Sequence, residues 1–241
     1  MQAATAVTFV LSLAMAAPLA VLWWSAEPSV WPYALASTLL ETGYVIGLAY
    51  GYRIAELSFV YPLSRGLAPV LALAAAVVLL GHHASAAEAG GVVLVGAGVV
   101  FVRAPEGRAD ARGLAAVLAV AASIAAYTLV DRAGIHHAGA LTYFVLVLAG
   151  PCLVYPPLVG GAAMRRELNS STVAAAAANL GSFVLGLLAL RRAAAAPVLA
   201  VRSSSIVIAT LLAGRVLAEH VSRRRLAGVA LVFAGVALLA A

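Results

Sequence analysis

Three charged side chains lie inside long apolar stretches of the sequence, where their chemistry would be unusual. They are Glu41, Arg65 and Arg202. On helices that rise ~1.5 Å per residue, all three fall in a band of about 8 Å around the middle of a bilayer. Charge at that depth is costly and therefore marks candidate functional residues. Two arginines facing one carboxylate would suit an anionic or zwitterionic substrate; a structural ion pair or snorkelling arginines are the alternatives.

Three uncharged polar side chains fall at similar depth and are further candidates for the same site. Tyr44, Tyr127 and Asn179 can each hydrogen-bond a substrate, although hydrogen bonds between helices are the commoner use of such groups. Glu41 is the predicted proton carrier, as the only acidic residue placed deep in a run. Asp131 stands at the end of a run and is predicted to be interfacial.

Other kinds of chemistry find little support. The single cysteine, Cys152, lies in an apolar run and is predicted to be a small buried hydrophobe. The histidine pairs 82–83 and 136–137 have no accompanying cysteine or carboxylate cluster, so no metal site is predicted. Hydrolase, protease and P-loop motifs are absent from the sequence. We therefore expect no enzyme, no catalytic residue and no cofactor, and without a nucleotide-binding motif we expect no ATP hydrolysis by this chain.

The composition indicates the environment in which the chain must fold and hold these residues in place. Of 241 residues, 64% are apolar and only 10% are charged, whereas a soluble domain has roughly a quarter charged. The net charge of +6 is carried by arginines in the short gaps between apolar runs, which indicates membrane topology and no nucleic-acid partner. The expected partners are a lipid bilayer and a small-molecule substrate.

Nine apolar runs are long enough to cross a membrane or nearly so. They span residues 3–25, 31–52, 58–80, 86–102, 113–131, 139–160, 171–190, 195–217 and 226–241. The first could be a secretory signal, but it has no basic start and is long for one, so a spanning helix is favoured. The prediction is an all-α, multi-pass protein of the plasma (inner) membrane with about nine transmembrane helices.

The chain also repeats itself. At an offset of 137 residues, the separation of Arg65 and Arg202, 14 of the 37 pairs from 65/202 to 101/238 are identical. The offset superposes every run except 113–131, whose partner would precede Met1. The repeat unit is therefore five helices, with four in residues 1–103 and five in 110–241. Either an ancestor lost the first helix or the sequence starts too late, and we favour a late start or a truncated gene.

Two consecutive units of five helices must insert with opposite orientations. This predicts an inverted repeat, an arrangement common in secondary transporters. Four glycines are spaced by seven on the corresponding fourth and ninth runs: Gly91, Gly98, Gly228 and Gly235. Small residues at such spacing permit close helix contacts. We predict that these two runs make close helix contacts, either with each other or in a homodimer.

Several motifs carry a family resemblance. They are the stretches 60–69 (VYPLSRGLAP), 79–85 (LLGHHAS), the glycine-rich run to Val102, 202–205 (RSSS) and 217–222 (LAEHVS). Together they resemble the EamA-like branch of the drug/metabolite transporter superfamily. In that family a glutamate usually stands where the first half has His82; only the second half keeps it, as Glu219. The resemblance implies ten helices in two repeats and the export or exchange of metabolites.

Two functions are consistent with these features. The first is a secondary transporter, an exporter or exchanger of a small metabolite that works by alternating access. The alternative is a non-transporting membrane subunit that pairs with another chain because it lacks one helix. An in-frame apolar segment upstream of Met1 would favour the first.

The arginines predict the orientation in the membrane. Nine lie in connections on one side and three, Arg132, Arg191 and Arg192, in connections on the other. The positive-inside rule places the nine-arginine side in the cytoplasm, which puts Met1 inside and Ala241 outside. The family resemblance instead implies a cytoplasmic C-terminus.

Overall fold

The computed structural model describes residues 2–54, 57–103, 111–216 and 223–240. Within these ranges the chain is helical, and the single β-type contact is an isolated bridge between Ala26 and Ala138. The helices are α1 Gln2–Leu22, α2 Trp31–Ile54, α3 Leu57–Leu80, α4 Ala86–Arg103, α5 Ala111–Gly134, α6 Ala140–Val159, α7 Gly161–Arg166, α8 Ser170–Leu190, α9 Ala195–Val216 and α10 Arg223–Ala240.

Each predicted run coincides with one of these helices, and no boundary differs by more than three residues. The short helix α7 was not predicted, because its six residues lie in a connection rather than in an apolar run. It begins after Gly160, whose positive φ of 86° ends α6 in a conformation that favours glycine. The start of α8 carries a capping box: the Asn169 side chain accepts a hydrogen bond from the Thr172 amide, and the Thr172 hydroxyl accepts one from the Asn169 amide.

Five of the described helical segments are long and apolar enough to cross a membrane: Ala3–Leu22, Leu63–Leu80, Ala111–His137, Ala140–Val159 and Ser170–Leu190. This is the character of a multi-pass membrane protein. Helix α2 is outside this set, although it has 24 residues. It carries Glu41, Arg53 and four tyrosines, which lower its hydropathy.

The helices form two compact units. Unit 1 comprises residues 1–49 and 126–192, and unit 2 comprises residues 50–125 and 193–241. Each unit thus takes helices from both predicted repeats, 1–103 and 110–241, whose boundaries stay a prediction. Arg108 and the motif at 217–222, with Glu219, lie outside the described residues.

In unit 1 the helices are joined by aromatic packing and by hydroxyl groups. Phe144 is fully buried, and its ring meets that of Phe183 edge-on at 5.2 Å. The Thr38 hydroxyl on α2 donates to the carbonyls of Leu146 and Val147 on α6, at 3.1 and 2.6 Å. Near this contact α6 carries Gly150, where a side chain would collide with Thr38.

Replacing Gly150 with alanine is expected to destabilise the protein by about 1–3 kcal/mol, the usual cost of overpacking. The added Cβ would lie 2.3 Å from the Thr38 methyl and 3.2 Å from the Thr42 hydroxyl, and rotating Thr38 would break its hydrogen bonds to α6. The thermal midpoint of the detergent-solubilised protein measures this. Gly181→Ala, whose Cβ would meet nothing within 4 Å, is the control; equal midpoints for the two variants would contradict the prediction.

Unit 2 is built around glycine and small aliphatic side chains. On α3 and α4, Gly66 and Gly96 approach so closely that a Cβ at Gly96 would lie 3.0 Å from the Gly66 carbonyl oxygen. Val92, Val95 and Val99 of α4 are fully buried. The closest packing in this unit is between α4 and α10, where glycine again faces glycine.

Candidate functional site

One face of α2 in unit 1 is buried and carries an acidic residue. Ala34, Ser37, Glu41 and Val45 recur every three or four residues, the spacing of one helix face, and all four are buried. Glu41 is only 6% exposed. Glu41 is therefore buried within unit 1, and its depth in a membrane stays a prediction.

A second buried carboxylate faces α2 from the end of α5. Asp131 is 2% exposed, and its Oδ1 atom accepts hydrogen bonds from the Ser37 hydroxyl at 2.5 Å and the Tyr143 hydroxyl at 3.1 Å. The interfacial depth of Asp131 stays a prediction, while its side chain is buried inside unit 1. Helix α5 continues to Gly134, beyond the last predicted residue, and turns Asp131 toward α2 and α6.

Small residues and aromatic rings bring α2 and α5 together around Asp131. A Cβ at Gly134 would lie 2.5 Å from the Tyr143 hydroxyl and 2.7 Å from Cβ of Tyr33. At the other end of the contact the rings of Tyr44 and Tyr127 meet edge-on at 6.0 Å. Since Tyr33 lies near Gly134 and Tyr44 near Tyr127, the two segments run antiparallel.

This packing creates a polar column inside unit 1, which we call the acidic column: Ser37, Glu41, Tyr44, Tyr127, Asp131 and Tyr143. Glu41 lies one helical turn beyond Ser37, about 6 Å along the axis. A buried carboxylate is costly unless hydrogen bonds stabilise it, and the hydroxyl groups of Ser37 and Tyr143 supply such bonds to Asp131.

Asn179 has a different environment. Its amide donates to the Ser12 hydroxyl at 3.2 Å, and Ser12 in turn donates to the Ala176 carbonyl at 3.0 Å. These bonds join α1 to α8, which is the helix-linking use of a polar residue. Asn179 thus lies in unit 1 with the acidic column, but its observed bonds connect helices.

The two arginines of the predicted site lie in unit 2. The Arg65 guanidinium is 4.7 Å from the centre of the Tyr61 ring, a cation–π distance. The Arg65 carbonyl accepts a hydrogen bond from Ser203 at 2.9 Å, so the residue next to Arg202 contacts Arg65 across α3 and α9. Arg202 is half-buried. A single cavity that contains Glu41, Arg65 and Arg202 stays a prediction.

The four glycines lie at the α4–α10 contact. A Cβ at Gly98 would be 2.7 Å from the Gly228 carbonyl oxygen, and one at Gly235 would be 2.7 Å from that of Gly91. Residues later in α4 therefore face residues earlier in α10, so the two helices are antiparallel. The offset of 137 residues relates Gly91 to Gly228 and Gly98 to Gly235. The repeat therefore converts the contact between Gly91 and Gly235 into the contact between Gly98 and Gly228.

Sequence reasoning missed Asp131, Ser37 and Tyr143. A signal for Asp131 was present, because it follows Tyr127 by four residues and therefore shares its helix face. Because the charge of Asp131 ends the apolar pattern, hydropathy alone does not show that Asp131 shares a helix face with Tyr127. Within the described residues, no group of three histidine, cysteine or acidic side chains could hold a metal ion.

Comparison with known proteins identifies a fold but no family. No family model matches the chain, and no curated protein matches it. A solved structure, described only as the crystal structure of a protein, is similar to it with a TM-score of 0.76 and 19% sequence identity. The match covers 99% of this chain and 88% of that one. The helical fold is therefore shared with a solved protein, and at this identity the likeness concerns the fold alone.

Proposed function

We propose that this chain is a secondary transporter of a small metabolite, an exporter or exchanger of the EamA-like kind, in the plasma membrane. The observation that carries the proposal is the acidic column, in which Glu41 and Asp131 are both buried. Buried carboxylates in an apolar helical protein are expensive, and in transporters they serve as proton relays or ion sites. The proton that they bind and release would couple transport to a pH gradient.

The proposed architecture is nine membrane-crossing helices in an inverted repeat. Its main support is the symmetry of the contacts in each unit. In unit 2 the glycine pairs 91/235 and 98/228 exchange under the offset of 137. In unit 1 the same offset relates the contact between Ser12 and Ala176 to the contact between Gly150 and Thr38, and each position agrees to within one residue. Such reciprocal pairing is typical of a twofold axis, here relating two halves of one chain.

The function is tested in proteoliposomes. Amino acids, nucleobases, sugar phosphates and cationic drugs are first screened for a rise in the thermal midpoint, since a ligand of the native state stabilises it. Solutes that raise the midpoint are then tested for flux under an imposed pH gradient. Absence of flux for every stabilising solute would contradict a transporter and favour a subunit that pairs with another chain.

Replacing Glu41 with glutamine is expected to lower flux driven by the pH gradient at least tenfold, because the amide cannot carry a proton at neutral pH. Exchange of labelled for unlabelled solute, with no gradient, should fall much less. A pH-sensitive dye inside the vesicles and a radiolabelled solute measure the two rates. Unchanged proton-driven flux in Glu41→Gln would remove Glu41 from the coupling mechanism.

A further inference from the structure

Two connections of unit 1 pair with each other directly above the acidic column. The α1–α2 connection meets the α5–α6 connection in the bridge between Ala26 and Ala138. Its hydrogen bonds run from the Glu27 amide to the His137 carbonyl at 2.8 Å and from the Gly139 amide to the Ser25 carbonyl at 2.7 Å. Pairing of this kind satisfies backbone groups that neither helix end can satisfy alone.

Side chains reinforce the pairing. The Glu27 carboxylate lies 3.2 Å from Nδ1 of His137, and the Ser29 hydroxyl lies 3.0 Å from the same nitrogen. The Tyr33 ring stacks on the His137 ring at 5.3 Å. The hydrogen bonds with His137 and Ser29 lower the pKa of Glu27, which favours its ionised form.

Arg191, just after α8, brings a third part of unit 1 to the same place. Its Nε atom donates to the Ile135 carbonyl at 3.1 Å, and a terminal guanidinium nitrogen donates to the Ala138 carbonyl. The planar guanidinium holds two carbonyls of one connection at once, which a lysine could not do with the same geometry. Arg191 and the next residue, Arg192, are both exposed, but the described hydrogen bond of Arg192 is from its backbone.

These contacts lie close to the acidic column. Ile135 is fully buried and follows Asp131 by four residues, one helical turn. The Ser25 amide donates to the Thr142 hydroxyl at 3.2 Å, next to Tyr143, which bonds Asp131. The paired connections and Arg191 therefore close this end of unit 1 about one turn above Asp131.

We propose that the paired connections and Arg191 form a gate that opens and closes the route to the acidic column from this side of the membrane. The arginine count predicts that this side faces the outside of the cell, the side from which the labelling below is done. In the described conformation the gate is shut, and opening it breaks the bonds of Arg191 and the Ala26–Ala138 bridge together. The gate extends the proposed transport function, yet its test requires no transported solute.

The first test measures access to a reporter below the gate. Ser37→Cys, in a Cys152→Ser background, is labelled in intact cells with a membrane-impermeant maleimide and quantified by mass spectrometry. Arg191→Ala should raise the labelling rate about tenfold, because it removes two charge-assisted hydrogen bonds from the closed state. Arg192→Ala removes the same charge one residue away and should leave the rate within about twofold. Equal rates in the two variants would overturn the gate.

The second test locks the gate and does not depend on the stability of the Arg191 variant. Paired residues of an antiparallel bridge have Cα atoms about 4.5–5.5 Å apart, within reach of a disulfide. Oxidised Ala26→Cys/Ala138→Cys should lower labelling of the reporter at least tenfold, and reduction should restore it. Failure to cross-link, or labelling unaffected by the cross-link, would overturn the proposal. A gate that behaves as expected, together with no flux for any solute, would instead contradict only the transport function.

Discussion

Replacing Gly98 with alanine is expected to lower the free energy of unfolding by about 3 kcal/mol, the upper end of what overpacking usually costs. The new Cβ would lie 2.7 Å from the Gly228 carbonyl oxygen and 2.8 Å from the Val232 amide nitrogen. Both atoms belong to the backbone of α10, so no side chain can rotate to make room. In a chain of this length, the thermal midpoint should fall by roughly 6–12 °C.

The measurement is the temperature at which half of the detergent-solubilised protein leaves the monodisperse peak in size-exclusion chromatography. Gly43→Ala in α2 is the matched control, because its Cβ would meet nothing within 4 Å. Gly235→Ala, with its Cβ 2.7 Å from the Gly91 carbonyl, should resemble Gly98→Ala. A midpoint for Gly98→Ala equal to that of Gly43→Ala would show that α4 and α10 do not pack as described.

Replacing Asp131 with asparagine is expected to abolish flux driven by a pH gradient while leaving the fold intact. Asparagine has nearly the same shape, and its carbonyl oxygen can still accept the hydrogen bonds of Ser37 and Tyr143. It cannot take up or release a proton near neutral pH. Proton-driven flux in proteoliposomes should therefore fall at least tenfold, since one of the two buried carboxylates no longer titrates.

Tyr143→Phe tests the hydrogen bond to Asp131 without changing the carboxyl group of Asp131. It removes one donor to Asp131 but keeps the ring that fills the interior of unit 1, so flux should fall less than in Asp131→Asn. The thermal midpoint of each variant establishes that it is folded. Full proton-driven flux in a folded Asp131→Asn protein would mean that Asp131 serves the structure of unit 1 and not its coupling.

The sequence by itself determined the class of the protein and the positions of its long helices. A chain with 64% apolar and 10% charged residues can fold only where lipid replaces water at its surface, and uninterrupted apolar runs satisfy their backbone groups there as helices. The glycines at 91, 98, 228 and 235 were also recognisable, because small residues at regular spacing have a local signature. These features depend on neighbouring residues in the sequence, so a pattern is enough to find them.

Only the tertiary structure decided which polar residues meet. The end of an apolar run predicts an interfacial Asp131 but says nothing of its neighbours, and the packing of α5 against α2 and α6 buries it beside Ser37 and Tyr143. Asn179 was placed in a substrate site, and its described bond is to Ser12, 167 residues away. The pairing of Ala26 with Ala138 and the bonds of Arg191 likewise join segments far apart in the chain. Hydropathy and spacing describe one helix at a time, whereas a buried hydrogen bond depends on which faces of two helices are pressed together.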